Sequence, residues 1–121
     1  MTKLHSMQIE QMVLAQMMTT ADILNHLDVK PVFDDFYAAR HQEIFKAIEI
    51  LNIQSKPYDF VMVKDYIEST GNLNLIGGEE YLLELSKETA SSFFNLGSYV
   101  LKLKKLTECR KVEDAGKKII E

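Results

Sequence analysis

Two glycines and two glutamates, Gly77-Gly78-Glu79-Glu80, stand where an apolar helical pattern begins. A glycine-rich turn before a helix can hold a phosphate, because the N–H groups at a helix start point outward and carry partial positive charge. Here the glutamates occupy the first turn, where they use the positive end of the helix dipole and would repel phosphate. The chain has no GxGxxG pattern and no GxxxxGK followed by Ser or Thr. We therefore interpret the glycines as a turn that leads into an acid-started helix.

The histidines and the cysteine are isolated from one another along the chain. His5, His26 and His41 lack a His, Cys or acidic partner at metal-ligand spacing on a shared helix face. We expect His41, beside Arg40 at the start of an apolar helical pattern, to be a core-edge or capping residue. Cys109 falls on an apolar stripe, where cysteine behaves as a small hydrophobic side chain. These positions therefore indicate neither a metal site nor a thiolate nucleophile.

Asp34 and Asp35 are the remaining pair that could do chemistry. Two adjacent carboxylates can serve as a general acid and a general base. Two acids immediately before a helix, however, are more simply explained as N-terminal caps. We therefore expect no catalytic residue, no metal, no cofactor and no enzymatic activity in this chain.

The composition is that of a small globular domain. A length of 121 residues predicts one domain, and 46% hydrophobic with 26% charged residues is ordinary for a globular protein. The net charge of −4 argues against a domain whose main task is to grip nucleic acid. A single cysteine excludes an internal disulfide and favours a reducing compartment. No apolar run approaches the roughly 20 residues of a membrane span, so we expect a cytoplasmic protein without a membrane contact.

Apolar residues at helical spacing predict an all-α fold, because no strand-like alternation extends beyond a few residues. The pattern predicts about five short helices in a compact head over residues 1–90. The start and end signals are an N-cap at Ser6, a second cap at Thr20, a third start at Asp34 or Asp35 after the Pro31 loop, a cap at Asp59, and a left-handed end at Gly71. The apolar face of the third helix is expected to comprise Phe36, Tyr37, Ile44, Phe45, Ile48 and Leu51.

The last segment, residues 91–121, is predicted to be one long helix that starts at Ser91 or Ser92. Its apolar stripe recurs every three or four residues: Phe93, Leu96, Val100, Leu103, Leu106, Cys109, Val112, Gly116 and Ile119. About 27 helical residues measure roughly 40 Å, whereas a domain of this size is about 30 Å across. Such a helix should project beyond the head, where an apolar stripe needs a partner. The alternative is a break near Lys104-Lys105 that folds the segment back onto its own core, although no Pro or Gly marks a turn there.

The same segment holds seven of the fourteen basic residues: Lys102, Lys104, Lys105, Arg110, Lys111, Lys117 and Lys118. A contact with nucleic acid is conceivable. We favour the solvated face of an amphipathic helix, because Glu108, Glu113 and Asp114 dilute the positive charge.

Four blocks of sequence then occur in a characteristic order: IEQMVLAQMM, FDDFYAARHQEIFKAI, KPYDFVMVKDYIESTGNLNLIGGEEYLLELSKET and NLGSYVLKLKKLTECRKVEDAGKKII. In this order and spacing they resemble the N-terminal domain of bacterial and phage replicative DNA helicases, the DnaB family. The resemblance covers about residues 7–121. Ala15, where the family commonly has glycine, and the loop LDVKPVFD depart from the usual pattern, which leaves the loop geometry open but not the family.

The resemblance implies a helical head followed by a helical hairpin, of which residues from about Asn95 onward would be the first arm. It implies a non-catalytic assembly and regulatory domain that pairs within the collar of a hexamer and binds primase, with a helicase loader as a further partner. ATP and Mg²⁺ would belong to a motor domain further along a full-length chain, and contact with DNA would require that full-length helicase.

The predicted self-association interface combines this implication with the apolar stripe and comprises Leu96, Tyr99, Val100, Leu103, Leu106, Cys109, Val112 and Ile119. A Leu103→Asp substitution is expected to weaken self-association. Two alternatives stay open: the helicase-binding domain of a primase, which has a similar fold, and a free-standing nucleic-acid-binding helical domain.

Overall fold

The computed structural model describes residues 6–87 and 96–120, and the side chains of the last helix up to Glu113. The described residues form five α-helices and three short 3-10 turns, without a strand, which confirms the all-α prediction. The helices are α1 (Met7–Thr19), α2 (Ala39–Ile53), α3 (Phe60–Ser69), α4 (Gly78–Lys87) and α5 (Leu96–Ile120). The 3-10 turns are Ile23–His26, Phe33–Asp35 and Leu73–Ile76.

Three of the predicted helix ends are confirmed. The Ser6 hydroxyl accepts a hydrogen bond from the Ile9 N–H at the start of α1, and the Asp59 carboxylate accepts one from the Met62 N–H at the start of α3. Gly71 has a φ of +79° just after α3. The N–H groups of Gly71 and the next residue donate to carbonyls of the last turn of α3, which is the Schellman arrangement that favours glycine at this position.

Two predicted helix starts are wrong. Thr20 is the C-terminal cap of α1 instead of the start of a second helix, and the expected helix is only the 3-10 turn Ile23–His26, entered through Asp22 in the left-handed region. The third helix begins at Ala39, not at Asp34 or Asp35. The physical reason is tertiary, because the Asp35 carboxylate is engaged by the Val32 N–H and by α5 instead of capping α2.

The core draws apolar side chains from all five helices and packs them around α1, which contacts α2, α3, α4 and α5. The face predicted for the third helix is buried at five of its six positions: Phe36, Ile44, Phe45, Ile48 and Leu51. Tyr37 is the exception. It is exposed because the chain is still extended at Phe36, before α2 begins, so the helical spacing does not apply there.

The last helix is continuous through Lys104-Lys105, so the alternative with a break there is wrong. Its first two turns are part of the head, since Leu96, Val100 and Leu103 belong to the same apolar core as α1 to α4. The described parts of the predicted head and of the predicted last helix therefore share one apolar core. The predicted boundary between residues 90 and 91, and the predicted helix start at Ser91 or Ser92, lie outside the described residues.

The Gly77-Gly78 turn has the role predicted for it. Gly77 and Gly78 have φ values of +101° and +77°, which side chains other than glycine rarely adopt. Helix α4 begins at Gly78, with Glu79 and Glu80 in its first turn. A Cβ atom on Gly77 would lie 3.1 Å from the Cβ atom of Tyr81, so close packing against α4 also favours glycine there.

Candidate functional site

The apolar stripe predicted as an assembly interface winds around α5. Successive residues of an α-helix are about 100° apart, so each three-residue step falls about 60° short of a full turn. The stripe advances by three such steps from Leu103 through Leu106 and Cys109 to Val112. It therefore starts on the side of α5 that faces the head and ends on the opposite side.

The beginning of the stripe is unavailable to a partner. Leu96, Val100 and Leu103 are only 4%, 0% and 1% exposed and pack in the core of the head. The self-association interface stays a prediction, but a second chain could reach these three residues only if α5 left its own core. For the same reason, Leu103→Asp would disrupt the head and would not report on association.

The remaining predicted residues lie along the flank and the outer side of α5. Tyr99, Leu106 and Cys109 are half-buried, and Val112 is 72% exposed. The side chain of Ile119 lies outside the described part of the structure. Cys109, expected to be buried, is therefore only half-buried.

Leu101 was missed by the sequence reasoning. It is 56% exposed and stands eleven residues before Val112, which is close to three full helical turns. Leu101 and Val112 therefore lie on the same outer side of α5. The eleven-residue spacing was a readable signal, but the three- and four-residue periodicity of the buried positions dominated the pattern. We call Leu101 and Val112, together with the half-buried Leu106 and Cys109 on the adjoining flank, the outer face of α5.

A buried carboxylate ties α5 to the loop before α2. Asp35 is 2% exposed, and its Oδ2 atom lies 2.7 Å from Nζ of Lys104, which donates to it. The Thr107 hydroxyl donates to Oδ1 of Asp35 at 2.9 Å, and the Val32 N–H donates to Oδ2 at 2.8 Å. Asp35 therefore has a tertiary role in holding α5, which neither the capping nor the acid–base interpretation anticipated.

Arg110 extends this polar contact by one more turn of α5. Its guanidinium donates to the backbone carbonyl of Asp34 at 3.0 Å and to the Thr107 hydroxyl at 3.2 Å. The same guanidinium lies 5.7 Å from the centre of the Tyr37 ring, a cation–π distance. We call Asp35, Lys104, Thr107 and Arg110 the Asp35 cluster.

A second buried polar group lies at the centre of the head. Glu10 and His41 are both fully buried, and the Glu10 Oε1 atom lies 2.7 Å from Nδ1 of His41. The Glu10 carboxylate also accepts hydrogen bonds from the N–H groups of Tyr37, at 2.8 Å, and Ala38, at 3.3 Å. Glu10 thus fixes the two residues that precede α2, whose N-cap residue Ala38 has no side chain that could cap the helix.

The other ring nitrogen of His41 continues the central network. Nε2 of His41 lies 2.5 Å from the Tyr81 hydroxyl, which accepts a hydrogen bond from Gln11. The Arg40 guanidinium lies 4.7 Å from the centre of the Tyr81 ring. We call Glu10, His41 and Tyr81 the central network. His41 is thus deeper than the predicted core-edge position, and each of its nitrogens has a partner that holds the ring in place.

The basic residues of α5 whose side chains the structure describes do not form one surface. Lys104 and Arg110 are engaged in the Asp35 cluster. Lys102, Lys105 and Lys111 are exposed, but at about 100° per residue they spread over half of the helix circumference. The side chains of Lys117 and Lys118 lie outside the described residues. This spread fits the solvated face that we expected better than a nucleic-acid-binding stripe.

Tyr58 borders a cleft of about 560 Å³ between the C-terminal ends of α1 and α2. Its hydroxyl is buried and accepts a hydrogen bond from the Leu24 N–H at 3.0 Å. Burial raises the pKa of Tyr58 above its ordinary value of 10.0, and the charge of Asp22 acts in the same direction, while the Leu24 hydrogen bond partly opposes it. The neutral hydroxyl therefore fixes the 3-10 turn Ile23–His26 to the head.

Within the described part of the chain, no group of three or more His, Cys, Asp or Glu side chains is arranged to hold a metal ion. Over the same residues, the structure has no helix that is both long and apolar enough to cross a membrane.

Comparison with known proteins gives a consistent family. A model described as the DnaB-like helicase N-terminal domain matches residues 2–105. The chain is 35% identical over 95 residues to the replicative DNA helicase DnaB of Pasteurella multocida, which covers 78% of this chain and 20% of that protein. It is 29% identical over 117 residues to the DnaB of Buchnera aphidicola subsp. Baizongia pistaciae, covering 97% and 25%. The chain thus spans a quarter or less of the length of these relatives.

Two solved structures share the fold. The N-terminal domain of the DnaB helicase from Mycobacterium tuberculosis matches with a TM-score of 0.87 and 28% identity, covering 98% of this chain and 86% of that one. A DnaB-like replicative helicase, described together with its interactions with primase, matches with a TM-score of 0.80 and 20% identity, covering 95% and 27%. At that identity the second likeness shows the fold alone.

Proposed function

Since the chain belongs to the family of DnaB-like helicase N-terminal domains, we propose that it is the assembly and partner-binding domain of a replicative DNA helicase. In this role the domain carries out no chemistry, and α5 joins one copy to another through its outer face. A motor domain elsewhere in the parent protein supplies ATP hydrolysis, and DNA is engaged through that full-length protein.

The observation that carries the proposal is the exposure of apolar side chains on the outer face. Leu101 and Val112 are more than half exposed, although α5 is held firmly on its other side by the core and by the Asp35 cluster. Half-buried Leu106 and Cys109 lie between them along the helix. Exposed apolar side chains on a well-anchored helix, flanked by half-buried ones, favour a protein–protein contact.

Primase is the second partner that we propose. One DnaB-like helicase of the same fold is described with its interactions with primase. The loop before α2 offers a separate surface for such a partner, because Val29, Val32, Phe33 and Tyr37 are all substantially exposed within nine residues. A helicase loader is a further candidate for this loop or for the outer face.

The two alternative functions have less support. A free-standing nucleic-acid-binding domain would need a basic surface, whereas the described lysines of α5 diverge and the net charge is −4. A helicase-binding domain of a primase would share the fold, but the relatives described above are helicases.

The test is sedimentation equilibrium of the wild-type chain and of Val112→Asp over a wide range of concentration. We expect reversible association of the wild type and at least about a tenfold weaker association of the variant, since a buried charge in an apolar contact costs more than about 1.4 kcal/mol. A matched control is Ile53→Asp, which places the same charge at a residue that is 75% exposed on the head.

Both variants change an exposed side chain, so circular dichroism should show an unchanged fold. A wild type that stays monomeric at all concentrations would refute self-association through α5 in this chain. Equal weakening by Ile53→Asp would mean that added charge, and not the outer face, controls association. Primase binding is tested separately, by titrating purified primase into wild type and Phe33→Ser.

A further inference from the structure

We propose that the Asp35 cluster is a positioning device that fixes the direction in which α5 leaves the head, and that it thereby controls assembly without lying in the interface. This inference rests on the proposed function, because it concerns the geometry of the same helix. The residues involved differ from the outer face, and none of them is required to touch a partner chain.

The geometry of the carboxylate is the first argument. Asp35 is almost completely buried and accepts hydrogen bonds from Lys104, Thr107 and the Val32 N–H, so both of its oxygens are engaged. Hydrogen bonds to a carboxylate are directional and short. Apolar contacts lack this directionality. The carboxylate is therefore able to fix a rotation or tilt of α5 that the apolar contacts would tolerate.

The spacing along α5 is the second argument. Lys104, Thr107 and Arg110 are three residues apart, so they present one donor per turn over about 9 Å of helix. The partners of all three lie within the short segment from Asp34 to Tyr37. Attachment at several points along the axis of a helix constrains its tilt, whereas attachment at one point would leave a pivot.

The position relative to the apolar core is the third argument. The core residues contributed by α5 end at Leu103, and Lys111, Val112 and Glu113 are exposed. The cluster stands between these two parts of α5, at the place where the helix passes from the head to its outer portion. A small change of tilt here would be amplified towards Ile120, because the lever beyond Arg110 is ten residues, or about 15 Å, long.

The loop that holds the cluster is itself tied to the centre of the head. The N–H groups of Tyr37 and Ala38, two and three residues beyond Asp35, donate to the Glu10 carboxylate. This short segment is thus bonded to both α1 and α5, and it sets the direction of α5 relative to α1. A flexible loop in the same place would not hold the two helices in a fixed relative direction.

The direct test measures the direction of α5 in a single chain. Spin labels are placed at Glu49→Cys on α2 and Val112→Cys on α5, in a Cys109→Ser background, and their distance distribution is measured by pulsed electron paramagnetic resonance. Labelled chain is diluted with an excess of unlabelled chain, so that only distances within one molecule are observed. We expect one narrow distance, and a broadened or shifted distribution in Asp35→Asn and Lys104→Met.

The matched control is Lys102→Met, which removes an exposed lysine from the same helix and should leave the distribution narrow. Lys104→Met also guards against a folding defect, because it leaves Asp35 its hydrogen bonds from Thr107 and Val32. A narrow, unshifted distribution in both cluster variants would overturn the positioning role.

The consequence for assembly is measured by sedimentation equilibrium on the unlabelled chains. If the competent direction falls to about a third of the population, a dimerisation constant that needs two competent chains falls about ninefold. We expect this loss in Lys104→Met and not in Lys102→Met. Unchanged association in Lys104→Met, with an associating wild type, would overturn control of assembly. A monomeric wild type would instead refute the proposed function, while the distance measurement would still decide whether the cluster sets the direction of α5.

Discussion

The two buried polar clusters of this domain differ in what surrounds them. The central network joins α1, α2 and α4, and Glu10 and His41 have no exposed surface. The Asp35 cluster joins the last helix to a loop at the edge of the head, and the side chain of Lys104 remains 29% exposed. The Glu10–His41 pair therefore has no access to water, whereas Lys104 in the second cluster can exchange its protein partner for water.

This difference predicts different roles. Breaking a fully buried hydrogen bond leaves donors that neither protein nor water can satisfy, which lowers the stability of the whole fold. Breaking a bond at the edge releases a side chain that water can solvate, so stability changes less. The central network should therefore control whether the head folds, and the Asp35 cluster should control how α5 is held on it.

The largest effect is expected for Glu10→Ala. This change orphans the N–H groups of Tyr37 and Ala38 and one nitrogen of His41, and each buried unsatisfied group costs about 1–3 kcal/mol. We expect a loss of at least about 3 kcal/mol in the free energy of unfolding, measured by urea denaturation. Glu80→Ala, an exposed acid in the first turn of α4, should cost less than about 1 kcal/mol. Similar losses in Glu10→Ala and Glu80→Ala would show that a buried carboxylate of the central network contributes no more to the free energy of unfolding than an exposed one.

A smaller effect is expected for Asp35→Ala. The single proton of the Thr107 hydroxyl can be donated to the Leu103 carbonyl instead, and Lys104 can turn to water, so mainly the Val32 N–H is orphaned. We expect a loss of about 1–3 kcal/mol by the same denaturation measurement. A loss as large as that of Glu10→Ala would show that the Asp35 cluster and the central network contribute equally to the stability of the fold.

An uncharged reference is provided by Tyr58→Phe, which removes only the hydrogen bond from the Leu24 N–H. We expect a loss of about 1 kcal/mol near neutral pH. Because the pKa of Tyr58 is raised above 10.0 in the folded state, its contribution is fully present below pH 10 and is lost as the pH rises through the folded pKa. The wild type should therefore lose more stability than the variant on titration above pH 10, and parallel curves would contradict this.

The smallest effect is expected for Lys104→Met, because the Lys104 side chain is partly exposed and the buried Asp35 carboxylate keeps its hydrogen bonds from Thr107 and the Val32 N–H. Thermal unfolding should shift only slightly relative to wild type, with Lys102→Met as the control on the same helix. A small stability change together with a changed direction of α5 would show that the Asp35 cluster positions α5 without stabilising the head. A large stability change would instead show that Lys104, like Glu10, stabilises the head.

Much of the head could be read from local sequence signals. Ser6, Asp59 and Gly71 act where their types predicted, because a cap or a left-handed end depends on the hydrogen bonds of one or two neighbouring turns. The helix starts predicted at Thr20 and at Asp34-Asp35 were wrong, because the Thr20 N–H closes α1 by donating to the Gln16 carbonyl and the Asp35 carboxylate binds α5. Asp35 is engaged by residues 69 and 72 positions away, and no local pattern indicates such a partner.

The sequence by itself determined the helical class, the turn at Gly77-Gly78 and the family resemblance, whereas only the structure excluded a break near Lys104-Lys105. These depend on periodicity, on φ values that favour glycine and on the order of recognisable sequence blocks, which are properties of short segments. Only the tertiary structure decided which side of α5 is free. Periodicity identifies an apolar stripe but not what covers it, and here the head covers Leu96, Val100 and Leu103 and leaves Leu101 and Val112 exposed.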